Sequence, residues 1–258
     1  MPGDAMTIAI GLFCTDGLVI ATDSAITIAT HDGATTEMKA PKIFYLMDDV
    51  IFAYSGNSIV AERIRRRLAS FLPAWLEEST TADDLGDRIC TGLEKMFSKY
   101  VTDPLKGIDC TIMLGIIFKG APELILFSGG FRPQFYSKDY FYVAHGSGKQ
   151  FADPFMSFLQ NTCDFRTLKV ENGRLLSYWI IDHVIETNTG GVRGPIQLQY
   201  FLKRDGSAGY DHLSIDDTDQ YENKIQEING RISQIVFGQD GTVVENDLPH
   251  RRSTDGRR

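Results

Sequence analysis

The sequence predicts an α+β fold in which two groups of β-strands lie among two pairs of helices. Runs rich in Ile, Val, Phe and Thr, typical of strands, occur near the start of the chain and again in its middle. Stretches with apolar residues every three or four positions, typical of amphipathic helices, separate them. This pattern suits a four-layer αββα sandwich, although periodicity alone does not select that arrangement over other α/β layerings.

The first strands form a predicted hairpin around Thr15-Asp16-Gly17. Residues 7–14 and 18–24 are both rich in strand-forming residues, and the Asp-Gly step supplies the positive φ of a tight reversal. Because both runs are largely apolar, this sheet is expected to be covered on both faces.

A second predicted hairpin spans residues 42–56 and turns at Asp48-Asp49. Lys42 then lies at the start of a strand, and Gly56 lies at a turn from strand to helix. Residues 26–41, between the hairpins, are expected to form a long loop.

The rest of the chain alternates between helical and strand patterns. Asp83 and Asp84 favour a helix start near Thr81, because acidic side chains stabilise the positive end of a helix. The predicted helices cover 59–76, 81–97, 149–159, 175–185 and 221–236, and the predicted strands cover 110–118, 122–128, 132–137, 140–144 and 196–202.

Length and composition indicate one globular domain. Apolar residues make up 43% of the 258 residues, and no linker-like composition divides the chain. We therefore assign residues 7–240 to the domain, 1–6 to a prefix or propeptide and 241–258 to a disordered tail. The longest apolar run, 111–118, is too short to span a bilayer, and no signal peptide opens the chain. We expect a cytoplasmic protein that does not associate with membranes.

Charge and residue spacing exclude several functions. A net charge of −8 argues against nucleic acid as a partner. The four cysteines show no CxxC spacing and are expected to be buried free thiols of a reducing compartment. The histidines lack metal-ligand spacing and no phosphate-binding glycine motif occurs, so neither a metal nor a cofactor is expected. His145 is the histidine of most interest, because it adjoins a Gly-Ser-Gly turn.

An ordered series of short motifs carries the functional signal. In chain order the motifs are Thr7, Asp23-Ser24, Lys42-Ile43, Ser55-Gly56, Gly146-Ser147-Gly148 and Glu186-Thr187-Asn188-Thr189-Gly190-Gly191. The series resembles proteasome β-subunits and the related bacterial protease-chaperone peptidase, which are N-terminal-nucleophile hydrolases. Each motif is weak alone, whereas their order is fairly specific. The resemblance selects the four-layer αββα sandwich.

The resemblance implies that Thr7 is the nucleophile of a threonine peptidase. Threonine suits this role when it is the first residue of the chain, since its own α-amine can then take the hydroxyl proton. Met6 is a possible initiator, and its removal would make Thr7 the N-terminus. Lys42 would lower the proton affinity of the Thr7 hydroxyl, and Asp23 would hold Lys42 charged and oriented.

Further roles are implied for residues around this centre. The backbone N–H of Gly56 would face the developing oxyanion. Residues that surround the amine and residues that bind the substrate are also implied. The residues around the amine are Ser147, Glu186 and Thr189, and the substrate-binding residues are Thr27, Tyr54 and Ser58, of which the aromatic Tyr54 is expected to narrow the side-chain pocket.

The sequence departs from the family pattern at several positions. Met6 stands where self-cleaving precursors commonly have glycine, which argues against autolytic removal of residues 1–6. Ala25 replaces an arginine that is common after Asp-Ser. Glu186 stands for Asp and Thr189 for Ser, which keeps the chemical type but changes the reach of each side chain.

Each of these residues could also have an ordinary structural role. Thr7 could be a β-branched residue of a strand, and Lys42 could be a solvated lysine of an edge strand. Three functional hypotheses therefore stay open at this point. The chain is a threonine peptidase in a ring of identical subunits, a small-amide amidase of the same fold, or a catalytically silent ring subunit. A peptidase of this kind would act on peptides or unfolded proteins and could pair with an ATPase unfoldase.

Overall fold

Two five-stranded antiparallel sheets lie face to face at the centre of the protein. The computed structural model describes residues 7–29, 35–98, 110–187, 191–204, 209–215 and 218–238. The strands, in chain order, are β1 (Ala9–Cys14), β2 (Gly17–Thr22), β3 (Ala25–Ala29), β4 (Thr35–Lys39), β5 (Ile43–Met47), β6 (Val50–Gly56), β7 (Cys110–Phe118), β8 (Ala121–Ser128), β9 (Arg132–Tyr136), β10 (Tyr142–His145), β11 (Gln197–Lys203) and β12 (Tyr210–Ile215).

The first sheet has the spatial order β10-β1-β2-β11-β12, and the second has the order β5-β6-β7-β8-β9. Within the described residues, strands β3 and β4 pair only with each other, as a separate two-stranded ribbon. The helices are α1 (Ser58–Glu78), α2 (Ala82–Phe97), α3 (Lys149–Thr162), α4 (Val170–Thr187) and α5 (Asp219–Phe237).

Three apolar layers hold the sandwich together. Between the sheets, Leu18 and Ile20 of β2 cluster with Met113 and Leu124 from the second sheet. The other face of the second sheet packs against α1 and α2, and the other face of the first sheet packs against α4 and α3. The order of layers is helix, sheet, sheet, helix, which confirms the predicted αββα sandwich and its doubly covered sheets.

Side-chain caps fix the starts of the first two helices. The Asn57 side chain accepts hydrogen bonds from the backbone N–H groups of Ile59 and Val60, and Thr81 accepts one from Asp84. Such caps satisfy donors that the first helical turn leaves free. Both helices therefore begin within one residue of their predicted starts.

The chain divides into two compact units, 1–216 and 217–258. The sandwich belongs to the first unit. The second contains α5, which carries exposed Ile235 and Phe237 near its end. Residues 1–6 and 239–258, which include the predicted prefix and tail, lie outside the described residues, so the predicted domain limits of 7–240 stay a prediction. None of the helices in the described ranges has the length and apolarity needed to cross a membrane.

The structure corrects the prediction of a loop over residues 26–41. This segment contains the antiparallel ribbon of β3 and β4. Its sequence did hold the signal, because Ile26-Thr27-Ile28 and Thr35-Thr36 flank an Asp32-Gly33 step.

Helix α4 begins at Val170, five residues before its predicted start. The sequence Glu171-Asn172-Gly173 resembles a turn, but in the structure Gly173 is helical, and a Cβ there would lie 2.7 Å from the sulfur of Cys14. The glycine thus permits close packing of helix against sheet. Asp16 accepts a hydrogen bond from the Val170 N–H at 2.8 Å, which anchors the first turn through a contact that is remote in sequence.

The structure also adds strand β12, which was not predicted, and it corrects the predicted burial of two cysteines. All four thiols are free, as predicted, but Cys163 is exposed and Cys90 only partly buried.

Candidate active site

Thr7 lies two residues before β1, where the Gly146-Ser147-Gly148 turn binds its backbone. The Thr7 N–H donates a hydrogen bond to Ser147 Oγ at 3.1 Å. The Thr7 carbonyl accepts one from the Gly148 N–H, also at 3.1 Å. The side chain is 3% exposed. The predicted Gly-Ser-Gly motif therefore fixes the orientation of the predicted nucleophile.

Lys42 joins the Thr7 hydroxyl to Asp23. Its ammonium donates to Thr7 Oγ1 at 3.1 Å and to both carboxylate oxygens of Asp23 at 2.9 Å. These three hydrogen bonds use all three ammonium donors. Lys42 is 1% exposed and Asp23 is 0% exposed, so the pair lies inside the protein.

Backbone groups hold the Asp23 carboxylate in place. Asp23 lies just beyond the end of β2, where one oxygen accepts from the Ile8 N–H and the other from the Ala25 N–H, both at 3.0 Å. Each oxygen therefore has one backbone donor and one contact with Lys42. This network fits a buried carboxylate, which is stable only when it is paired and hydrogen-bonded.

Gln197, which the sequence analysis did not select, fixes the backbone of Lys42. Its Oε1 accepts from the Lys42 N–H at 2.9 Å, and its Nε2 donates to the Ala40 carbonyl at 3.3 Å. Gln197 opens β11, and nothing in its sequence context distinguishes it from an ordinary strand residue.

Burial shifts the protonation equilibria of the buried pair. Burial lowers the pKa of the Lys42 ammonium below its ordinary value, and this effect exceeds the opposite effect of the Asp23 charge and hydrogen bonds. Burial also raises the pKa of Asp23, and this effect exceeds the opposite effect of the Lys42 charge and of the N–H donors of Ile8 and Ala25. A lysine with a lowered pKa releases its proton more readily than one in water. While Lys42 is charged, its ammonium can polarise the Thr7 hydroxyl.

Three of the four predicted oxyanion and substrate residues lie on β6 or at the start of α1. Gly56 has a φ of +93°, a conformation that favours glycine. Tyr54 is buried in the cluster that packs against α1 and α2, and burial raises its pKa to about 12. Ser58 is the first residue of α1. Thr27 lies on β3, but its side chain lies outside the described part of the structure.

Of the residues predicted to lie around the Thr7 amine, one contacts the Thr7 nitrogen in the described part of the structure. Ser147 contacts the Thr7 nitrogen. Glu186 is an exposed residue in the last turn of α4, and no hydrogen bond joins it to Thr7, Asp23 or Lys42 within the described ranges. Thr189 falls in residues 188–190, outside those ranges. The roles of Glu186 and Thr189 stay predictions.

No cluster of three or more His, Cys, Asp and Glu side chains able to hold a metal occurs among the described residues. The expected absence of a metal stays a prediction.

Gly146 provides a test of how closely the turn encloses Thr7. Its φ is +100°, and a Cβ there would lie 2.1 Å from the Thr7 carbonyl oxygen. We expect Gly146→Ala to lower the free energy of unfolding and to displace Thr7. Gly120 is the matched control, since its φ is +80° with nothing within 4 Å of an added Cβ.

The free energy of unfolding of the control Gly120→Ala should fall only by the cost of backbone strain at a positive φ, about 1 kcal/mol or somewhat more. The free energy of unfolding of Gly146→Ala should fall by a further 1–3 kcal/mol, roughly the cost of overpacking. Urea unfolding of both variants measures the difference. Equal losses would show that Gly146 does not contact Thr7 as described.

A family model described as proteasome subunit matches residues 5–190. No curated protein matches the sequence.

Solved structures with a similar fold include three of Anbu proteins. Anbu (ancestral β-subunit) from Yersinia bercovieri superposes with a TM-score of 0.71 at 14% identity, covering 91% of this chain and 98% of that one. The helical assembly of the Anbu complex from Pseudomonas aeruginosa superposes with a TM-score of 0.67 at 15% identity, covering 91% of this chain and 97% of that one. An Anbu (Gly-1) mutant from Hyphomicrobium sp. strain MC1 superposes with a TM-score of 0.67 at 16% identity, covering 89% of this chain and 96% of that one. At these identities the likeness concerns the fold alone.

Proposed function

This chain belongs to the proteasome subunit family, and we propose that it is a threonine peptidase whose nucleophile is Thr7 after removal of residues 1–6. The observation that carries the proposal is the position of the buried Lys42 ammonium, 3.1 Å from Thr7 Oγ1 and held by Asp23. An ordinary strand threonine has no need of a fully buried lysine–aspartate pair beside its hydroxyl.

In the proposed reaction, Thr7 Oγ attacks the carbonyl carbon of a peptide bond. The freed α-amine accepts the hydroxyl proton and passes it to the leaving amine as the C–N bond breaks. The product is an ester between Thr7 and the acyl fragment. Water then hydrolyses the ester, releasing a carboxylic acid and restoring the hydroxyl.

Other residues act around this step. The Lys42 charge favours the ionised hydroxyl, and the Gly56 N–H stabilises the oxyanion, a contribution typically of about 3 to 4 kcal/mol. We further propose that Ser147, which contacts the Thr7 nitrogen, acts on the amine together with Glu186 and Thr189. We also propose that Thr27, Tyr54 and Ser58 bind the substrate, and that the buried ring of Tyr54 narrows the side-chain pocket.

Hydrolysis assays separate this proposal from its alternatives. The protein with Thr7 as its first residue is incubated with fluorogenic peptides, an unfolded protein and small amides, with Thr7→Ala as the blank. We expect Thr7-dependent cleavage of the peptides and of the unfolded protein. Cleavage of small amides alone would indicate an amidase, and no cleavage would indicate a silent subunit.

The pH dependence of peptide hydrolysis should be bell-shaped. The α-amine must be unprotonated to accept a proton. Activity should therefore increase as the pH rises to the pKa of the α-amine, near or below about 8. Lys42 must stay charged, and its lowered pKa means that the charge is lost at a lower pH than for an ordinary lysine, about 10.4. A profile of kcat/KM from pH 5 to 11 measures both limbs. Activity that stays constant above pH 10.4 would contradict the role of the Lys42 charge.

We also propose that the chain assembles into a homo-oligomer, in which an ATPase unfoldase could deliver substrates. Large apolar side chains such as Ile59, Phe158 and Ile235 are exposed in the single chain. One similar structure is described as a helical assembly, which arises when a repeated interface does not close into a ring.

Light scattering at micromolar concentration should therefore give a mass several times 28.8 kDa. Electron microscopy of the same sample distinguishes the predicted ring from a helix. A mass near that of one chain would overturn the assembly proposal.

A further inference from the structure

His145 connects the two sheets beside the candidate site. It is the last residue of β10 in the first sheet. Its Nδ1 lies 2.7 Å from Ser55 Oγ, and its Nε2 lies 3.2 Å from Thr111 Oγ1. Ser55 and Thr111 are paired residues on β6 and β7 of the second sheet. A single imidazole therefore contacts hydroxyls on two adjacent strands of the opposite sheet with both ring nitrogens.

The chemistry of these groups suits a fixed connection. A neutral imidazole has one donor and one acceptor nitrogen, and each hydroxyl can rotate to donate or to accept. Ser55 is 3% exposed and Thr111 is 8% exposed. Removal of the imidazole would leave both buried hydroxyls without these contacts, and unsatisfied buried polar groups destabilise a folded protein.

Each end of this connection adjoins a different part of the proposed machinery. On one side, the Gly146–Gly148 turn that follows His145 holds both backbone polar groups of Thr7. On the other side, Ser55 is followed by Gly56, the proposed oxyanion donor. The imidazole thus lies between the turn that holds the nucleophile and the strand end that carries the oxyanion donor.

We propose that His145 is a positioning residue that sets the distance between Thr7 and the Gly56 N–H. The inference rests on the proposed peptidase function, and it assigns His145 no contact with the reacting atoms. Its effect arises because displacement of a catalytic group by about 1 Å can lower a rate about 10²-fold.

The test uses the protein that begins at Thr7 and extends to Arg258. The variants are His145→Ala, His145→Gln, Ser55→Ala and the His145→Ala/Ser55→Ala double variant. Tyr142→Phe is the matched control, because Tyr142 lies on the same strand and its hydroxyl contacts Asp153 of α3 instead of the second sheet.

We expect His145→Ala to lower kcat about 10²-fold with little change in KM, and Tyr142→Phe to behave as the wild type. His145→Gln, whose amide can still contact one hydroxyl, should recover part of the loss. The double variant should be no slower than His145→Ala, because both changes break the same connection. Multiplicative losses in the double variant, or a loss confined to KM, would overturn the proposal.

Hydrogen exchange of the same variants gives a readout that does not depend on activity. His145→Ala should speed exchange in peptides covering residues 146–148 and 55–57 together, and Tyr142→Phe should change neither. Unchanged exchange would overturn the connection itself. If the wild type is inactive and His145→Ala still speeds exchange at both segments, the connection between the sheets is confirmed. That result would refute the proposed peptidase function and with it the positioning role.

Discussion

Replacing Lys42 with alanine is expected to abolish hydrolysis and to destabilise the protein. The lost ammonium removes the charge that favours ionisation of Thr7, which should lower kcat by at least about 10²-fold. The same change leaves the Asp23 carboxylate buried without its partner. Breaking a buried pair in this way costs about 3–5 kcal/mol of the free energy of unfolding. The position of Lys42 in the sequence suggested only an electrostatic role, and its burial adds the structural one.

A pair of substitutions separates these two effects. Lys42→Met combined with Asp23→Asn removes both charges while keeping the side-chain volumes close to those of the native residues. This double variant should stay inactive and should recover part of the stability lost by Lys42→Ala. The recovery is partial because an asparagine amide has one acceptor oxygen for the two backbone N–H groups that donate to the Asp23 carboxylate. Lys42→Arg should rescue activity poorly, because a planar guanidinium cannot replace an ammonium that donates to both Asp23 and Thr7. Urea unfolding and peptide hydrolysis measure the two properties. Near wild-type hydrolysis by the double variant would remove Lys42 from the mechanism.

Retention of residues 1–6 is expected to have an equally large effect. The nitrogen of Thr7 is then part of a peptide bond and donates to Ser147. An amide nitrogen is not basic, so it cannot accept the hydroxyl proton. Release of the α-amine changes this nitrogen into a proton acceptor at a position already fixed by the Gly146–Gly148 turn. We expect peptide hydrolysis to fall to the level of the Thr7→Ala blank whenever the six residues remain attached.

Much of the fold follows from local sequence signals. The helices α1 and α2 begin at recognisable caps, Asn57 and Thr81, and their apolar spacing specifies which face is buried. The strand β6 and the turn at Gly56 lie where apolar runs and small residues indicate them. These features depend on neighbours in the sequence, which makes them predictable from it.

Features that depend on contacts remote in sequence were missed. The first turn of α4 is anchored by Asp16. Gly173 is needed in that helix because a side chain there would collide with the sulfur of Cys14. The same holds for the site. The motif series brought Thr7, Asp23, Lys42 and Ser147 into consideration, whereas the roles of Gln197 and Ser55 depend on where other strands end. Only the position of His145 beside the Gly-Ser-Gly turn gave a sign of its surroundings.

The most direct test of the central claim, that Thr7 acts as a free N-terminal nucleophile, compares two proteins of otherwise identical sequence. One begins at Thr7 and the other retains residues 1–6, and intact mass confirms each N-terminus before and after the assay. We expect only the protein with a free Thr7 amine to hydrolyse a fluorogenic peptide. Equal hydrolysis by the protein whose residues 1–6 are still attached at the end of the assay would contradict it.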